Sequence, residues 1–229
     1  MNNCFINSDL LKNTLFEELE SKDKNYDYYL QAKTELGEQF NLEDVLAILD
    51  NSKLTDDYEK LMKDFDTNIL YKSYIHGTNH NIRVCFFAYV IASNDGISSK
   101  DFSLIMEAAK YHDIGRENDS KDNLHGKRSA DMLSFLENKY SYEELNYLRT
   151  IITCHSIDDS EFEEIAFSSG IQDTQRCKRM YNVLKDADGL DRVRLKYPYI
   201  KVDYLRCDTS KRMVLFAYEL FNNYDKLIR

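Results

Sequence analysis

Apolar residues recur at intervals of three and four along most of this chain, the spacing of helices that each bury one face. Between residues 8 and 20, Leu10, Leu11, Leu15, Phe16 and Leu19 follow Ser8, a suitable helix cap, with acids on the opposite face. Comparable patterns predict helices over 41–50 and over 55–71, the second opened by Thr55-Asp56-Asp57, acids suited to the positive end of a helix dipole. Further helices are expected over 78–93, 99–112, 123–138, 141–155, 174–188 and 210–227. The 229 residues include one proline and seven glycines, so few obligatory turn formers interrupt these segments. The expected fold class is all-α, with residues 1–70 as an acidic helical extension and residues 71–229 as the core.

Charge sharpens this division. Residues 1–70 hold 16 acids and 7 lysines with no arginine, and the remainder is nearly balanced at 24 acids and 23 bases. A net charge of −10 argues against an extended nucleic-acid surface, which would neutralise phosphates with a basic face. Five scattered cysteines form no C-x-x-C pair and read as reduced thiols. No stretch reaches membrane-spanning length and the N-terminus has no signal-like pattern, so a cytoplasmic protein is expected. The sequence leaves the oligomeric state open.

All five histidines fall between positions 76 and 155. His80 heads a stripe with Val84, Phe87 and Ile91, and His112 ends one formed by Phe102, Ile105 and Ala109. His125 opens a stripe with Ser129, Met132 and Leu136, and His155 closes one from Leu148 and Ile152. Asp188 follows Tyr181 and Leu184 on another buried face. One histidine on an apolar face is ordinarily a core residue satisfied by hydrogen bonds. Four, with a carboxylate, are costly to bury without a shared partner, and a divalent cation satisfies several at once.

The adjacent pair His112-Asp113 can reach one ion only if it brackets it at a helix end, and Gly115 is a natural place for the helix to stop. Around this pair the chain reads Ala108-Ala109-Lys110-Tyr111-His112-Asp113-Ile114-Gly115-Arg116. His80-Asn81-Ile82-Arg83-Val84 precedes it, and Lys185-Asp186-Ala187-Asp188-Gly189-Leu190-Asp191 follows. In this order, over residues 74–196, the elements resemble the HD superfamily of metal-dependent phosphohydrolases. The resemblance implies that His80, His112, Asp113 and Asp188 bind a first metal, with Asp186 the competitor for the last place and Asp191 a supporting residue. His125 and His155 are similar to the extra histidines of two-metal subgroups. Ser156 stands where the HD-GYP branch usually has a second histidine, and the GYP signature is absent.

The implied cofactor is one or two ions of manganese, iron or magnesium. The implied reaction is hydrolysis of a phosphoester or phosphoanhydride, the partner being a small phosphorylated substrate, a nucleotide by family likeness. Asp113 and Arg116 are the expected catalytic residues, and Arg83, Arg116, Lys127 and Arg128 the expected substrate contacts. Arg116 has an alternative pairing with Asp119 or Asp122, and Arg192 and Arg194 could reach a phosphate or anchor the Tyr197-Pro198-Tyr199 turn. His76, one turn before His80, suits either an outer metal position, a substrate contact or a structural place at the helix entry. Two other readings share these ligands: a di-iron oxygenase and a non-catalytic nucleotide sensor.

Overall fold

The computed structural model describes residues 6, 8–14, 16, 18–51, 55–195 and 200–227. These contain no strand and form twelve α-helices with five short 3-10 turns, the all-α architecture expected. The helices are α1 (Ser8–Asn13), α2 (Tyr26–Glu35), α3 (Leu42–Asn51), α4 (Thr55–Lys63), α5 (Thr78–Asn94) and α6 (Ser99–Tyr111). They continue as α7 (His125–Asp131), α8 (Tyr142–His155), α9 (Phe162–Ser168), α10 (Thr174–Leu190), α11 (Asp208–Arg212) and α12 (Val214–Leu227).

The centre is α5, buried continuously from His80 to Ala92. A helix apolar all round has to be surrounded. It packs on α6 and α10, which also pack on each other and on α8. Ser98 caps α6, and Ser141 with Glu144 forms a capping box on α8, satisfying N–H groups that would otherwise lack partners. The described part of residues 1–70 adds to the same apolar cluster: α3 lies on α5, and Tyr58 meets the rings of Phe86 and Tyr89. α2 packs on α12, where Tyr29 donates a hydrogen bond to Glu219 at 2.9 Å.

Several boundaries differ from the sequence pattern. The helix expected over 8–20 ends at Asn13, and Thr14 turns its hydroxyl back to the Leu10 carbonyl. Phe16 and Leu19 still pack inward, Phe16 against Phe216, whereas Leu15 lies outside the described residues. The helix expected over 55–71 stops at Lys63. The segment over 123–138 splits into α7 and a 3-10 turn at Leu133–Leu136, because the Met132 N–H is shared between the Arg128 and Ser129 carbonyls and the helix tightens. Met213 divides the final segment into α11 and α12. α2 and α9 were not expected: α2 buries only Tyr29, and α9 spans only seven residues. The Tyr197-Pro198-Tyr199 segment and Cys4 lie outside the described residues.

No helix among the described residues is long and apolar enough to cross a membrane. Cys85, Cys154, Cys177 and Cys207 are free thiols, and burial pushes the first three up to about 12, making them poor nucleophiles.

Two glycines set how closely the site-bearing segments approach. A Cβ on Gly126 in α7 would lie 2.5 Å from the Ile152 carbonyl oxygen and 2.9 Å from that of Thr153, both on α8. One on Gly115 would meet the Ser129 backbone nitrogen at 2.4 Å. Gly115 therefore admits α7 against the end of α6, which stops just before it at Tyr111 with no positive φ at the glycine. Gly126→Ala is expected to lower stability by ~1–3 kcal/mol despite the higher helix propensity of alanine. Gly37→Ala, where a Cβ meets nothing within 4 Å, is the neutral control. Urea unfolding of both variants checks this, and an unchanged midpoint for Gly126→Ala would refute the close-approach argument.

Candidate metal centre

The side chains predicted to bind metal come from the ends of separate helices. His80 lies in the first turn of α5, His112 and Asp113 just past α6, and His125 starts α7. His155 is the last residue of α8, and Asp188 sits near the end of α10. Three helix C-termini thus direct their negative ends toward one place, which favours a cation. His80, His112, Asp113, His125 and His155 are buried, and Asp188 is partly open to a cleft.

Hydrogen bonds fix how the rings point. His80 donates from Nδ1 to Asp191 Oδ2 at 2.7 Å, His112 to the Ala109 carbonyl at 2.8 Å, and His155 to the Ile152 carbonyl at 2.6 Å. His125 Nδ1 bonds the Asp122 carbonyl. With Nδ1 carrying the proton in each ring, every Nε2 presents a lone pair. Those lone pairs converge. His80 and His112 Nε2 are 3.3 Å apart, and His125 and His155 Nε2 are 2.9 Å apart.

Asp113 lies between the two pairs. Its Oδ2 is 3.5 Å from His80 Nε2 and 3.9 Å from His112 Nε2, and its Oδ1 is 3.1 Å from His125 Nε2 and 3.5 Å from His155 Nε2. Oδ1 is buried and has no hydrogen-bond partner among the described residues. Asp188 Oδ1 completes the first group, 3.4 Å from His80 Nε2. Two sets of donors are close enough to share an ion: His80, His112 and Asp188, and His112, Asp113 and His155. Inward lone pairs and an unpaired buried carboxylate oxygen repel one another, and a cation removes the repulsion, so these residues fit one or two metal ions.

The electrostatics agree. Burial pushes His112 down from 6.5 to about 3 and His76 to about 4, so both rings stay neutral and able to ligate. Against the effect of burial, Asp113 and Asp188 are held below the ordinary carboxylate value, with Arg116 donating to Asp113 and Arg194 lying 4.0 Å from Asp188, and both remain ionised.

Asp186, the alternative fourth ligand, is turned away. It accepts from the Arg206 and Cys207 backbone N–H groups at 2.7 Å each and from the Ser210 hydroxyl at 2.6 Å. Asp191 supports His80 as expected and binds Arg83 through Nε at 2.6 Å and Nη2 at 3.1 Å. Arg83 is buried and lies 4.7 Å from the Tyr224 ring centre and 5.1 Å from that of Phe221; it holds Asp191 and lines neither of the clefts beside Asp188, where a substrate contact was expected. Lys127 pairs with Asp131 on the surface, and Arg128 is tied to Asp122 and the Gly115 carbonyl, so neither lines the site cleft.

Arg116 does line it, bonding neither Asp119 nor Asp122. Its Nε donates to Asp113 Oδ2 at 2.9 Å, and its Nη2 is 3.4 Å from His125 Nε2. Asp119 instead accepts from His76 Nδ1 at 2.9 Å, which places His76 on the cleft wall. Arg194 is anchored to the Ile75 and Asp191 carbonyls. A second cleft on the far side of Asp188 is lined by Lys185, Lys201, Tyr204 and Arg206. Of these only Lys185 stands inside a recognisable motif, and nothing in the sequence pattern marked the other three.

Acid should destabilise this arrangement. Because His76 and His112 have depressed folded values, the unfolded chain takes up protons first as pH falls below about 6.5. Their contribution is complete above that value and is lost progressively as pH drops toward 4. The lowered values of Asp113, Asp188 and Asp191 extend the loss to lower pH. Urea midpoints of metal-free protein should therefore fall between pH 7 and pH 4.5, and a flat profile would contradict the neutral buried imidazoles.

No family model, curated protein or solved structure gives a significant match to this chain, so its sequence motifs and this geometry carry the functional reading.

Proposed function

We propose that the chain is a metal-dependent phosphohydrolase of the HD type, cleaving a phosphoester or phosphoanhydride, with nucleotides the substrate class implied by the sequence resemblance. The observation that supports it is the convergence of four Nε2 lone pairs on Asp113, whose two oxygens face different histidine pairs. His80, His112, Asp113 and Asp188 would hold one ion, and Asp113, His125 and His155 a second. When bound, manganese, iron or magnesium supplies an acidified water and neutralises phosphoryl charge.

The remaining work belongs to the chain. Arg116 holds the Asp113 carboxylate in place through Oδ2, and Oδ1 would either face the second ion or, with a single ion bound, orient the attacking water. Asp191 fixes the His80 tautomer, and Arg83 fixes Asp191. Around the cleft mouth, Arg116, Lys121, Arg192 and Arg194 form a cationic rim suited to phosphoryl oxygens.

Elemental analysis of untagged protein is expected to find one or two equivalents of a divalent metal in the wild type and none in His112→Ala. Separate His125→Ala and His155→Ala variants should each lose only the second equivalent. Asp113→Ala should remain helical by circular dichroism and lose phosphate release. Retained hydrolysis in that variant would refute the assignment, and iron with an oxygen-dependent absorption change but no phosphate release would replace it with an oxygenase.

A further inference from the structure

Two clefts, of about 570 and 480 Å³, meet over the candidate metal centre and share His155, Asp188 and Arg192. Their walls differ. The larger is polar, built from the loop Asp119 to Asn123 and from Arg194. The smaller has an apolar wall of Ile200 and Leu205, with Tyr204 exposed at 65 % and Lys201 Nζ 5.2 Å from its ring centre.

The charges around this divide are not equivalent. Lys185 and Arg206 also line the smaller cleft, but both bind Asp159 at 2.6 Å, and Arg206 reaches Asp186 at 2.8 Å. Arg83, Arg116 and Arg128 are similarly engaged by acids. Arg192 is exposed, faces both clefts, and has no side-chain hydrogen bond or ion pair among the described residues. A guanidinium held on a ridge without an acid is suited to a phosphoryl oxygen.

We propose that the substrate is an asymmetric phosphodiester whose phosphorus sits on this divide beside Arg192, with a planar aromatic arm against Tyr204 and a polar arm in the larger cleft. This rests on the phosphohydrolase reading. A monoester carries one substituent and would leave one cleft to water. A diester carries two, one for each cleft. Tyr204 offers an accessible face for stacking, and Ile200 and Leu205 line the cleft beneath it. In the reaction, the oxygen of water bonds to phosphorus as the bond from phosphorus to the aromatic arm's oxygen breaks. That oxygen leaves with the electron pair, and the proton lost by water goes to solvent.

The test compares the p-nitrophenyl ester of thymidine 5′-phosphate with p-nitrophenyl phosphate, using protein reconstituted with manganese. The diester is expected to have a kcat/KM at least about tenfold higher, and Tyr204→Ala should remove most of that margin through KM. Arg192→Ala should lower kcat/KM for the diester at least about tenfold. Both residues are exposed, so circular dichroism should show intact folds. Calorimetric titration of metal-free protein adds a readout without turnover: the wild type should bind the diester more tightly than the monoester, and Tyr204→Ala should lose that difference. Monoester turnover at an equal or higher kcat/KM, with equal binding of the two compounds, would overturn the two-cleft assignment while leaving the hydrolase standing. No metal-dependent turnover of either compound would remove both.

Discussion

Four imidazole nitrogens and a carboxylate are held in mutual repulsion by hydrogen bonds made on their outer sides, and the rest of the core is arranged around that constraint. Each Nδ1–H is committed to an oxygen that cannot donate, three of them backbone carbonyls at or beside helix ends. The backbone groups that close the helices therefore also aim the ligands. Moving any one helix end by a residue would turn a lone pair away from the centre or replace it with a proton.

This explains why the site is built from helix ends and why α7 must lie so close to its neighbours. Its Gly126 sits against α8 and Ser129 bonds the Gly115 N–H at 2.9 Å, so α7 is clamped between the α6 terminus and the α8 terminus. Its first residue, His125, then has no freedom to swing out. Arg128 adds to the clamp by bonding the Gly115 carbonyl at 2.9 Å. Basic side chains near the centre thus serve two purposes: Arg83, Arg116, Arg128 and Arg194 lock the frame, and Arg192 stands at the mouth with no side-chain partner among the described residues.

Much of the site was legible because chemistry and periodicity coincided. Histidines continuing apolar stripes could only be buried, and the order of the motifs singled out His80, His112, Asp113 and Asp188, the residues now found together. The choice of Asp188 over Asp186 follows from facing: the two lie on different sides of α10, and Asp186 meets the chain segment that begins α11. Arginine roles were not legible. Whether Arg83 reaches a ligand or an acid depends on Asp191, 108 positions away, and on rings from α12. The smaller cleft was also hidden, since Tyr204 and Lys201 lie in an irregular segment with no helical period to place them. Among the helices, sequence showed those with strong apolar faces and missed α2, which buries one residue, and α9, which is two turns long.

The Arg83 contact with α12 carries the support of the centre outward. Asp191 orients His80, Arg83 orients Asp191, and Arg83 is itself packed on Phe221 and Tyr224 of α12. The aim of one imidazole thus depends on rings from another helix, and a change in the packing of α12 would be transmitted to His80 through Arg83 and Asp191.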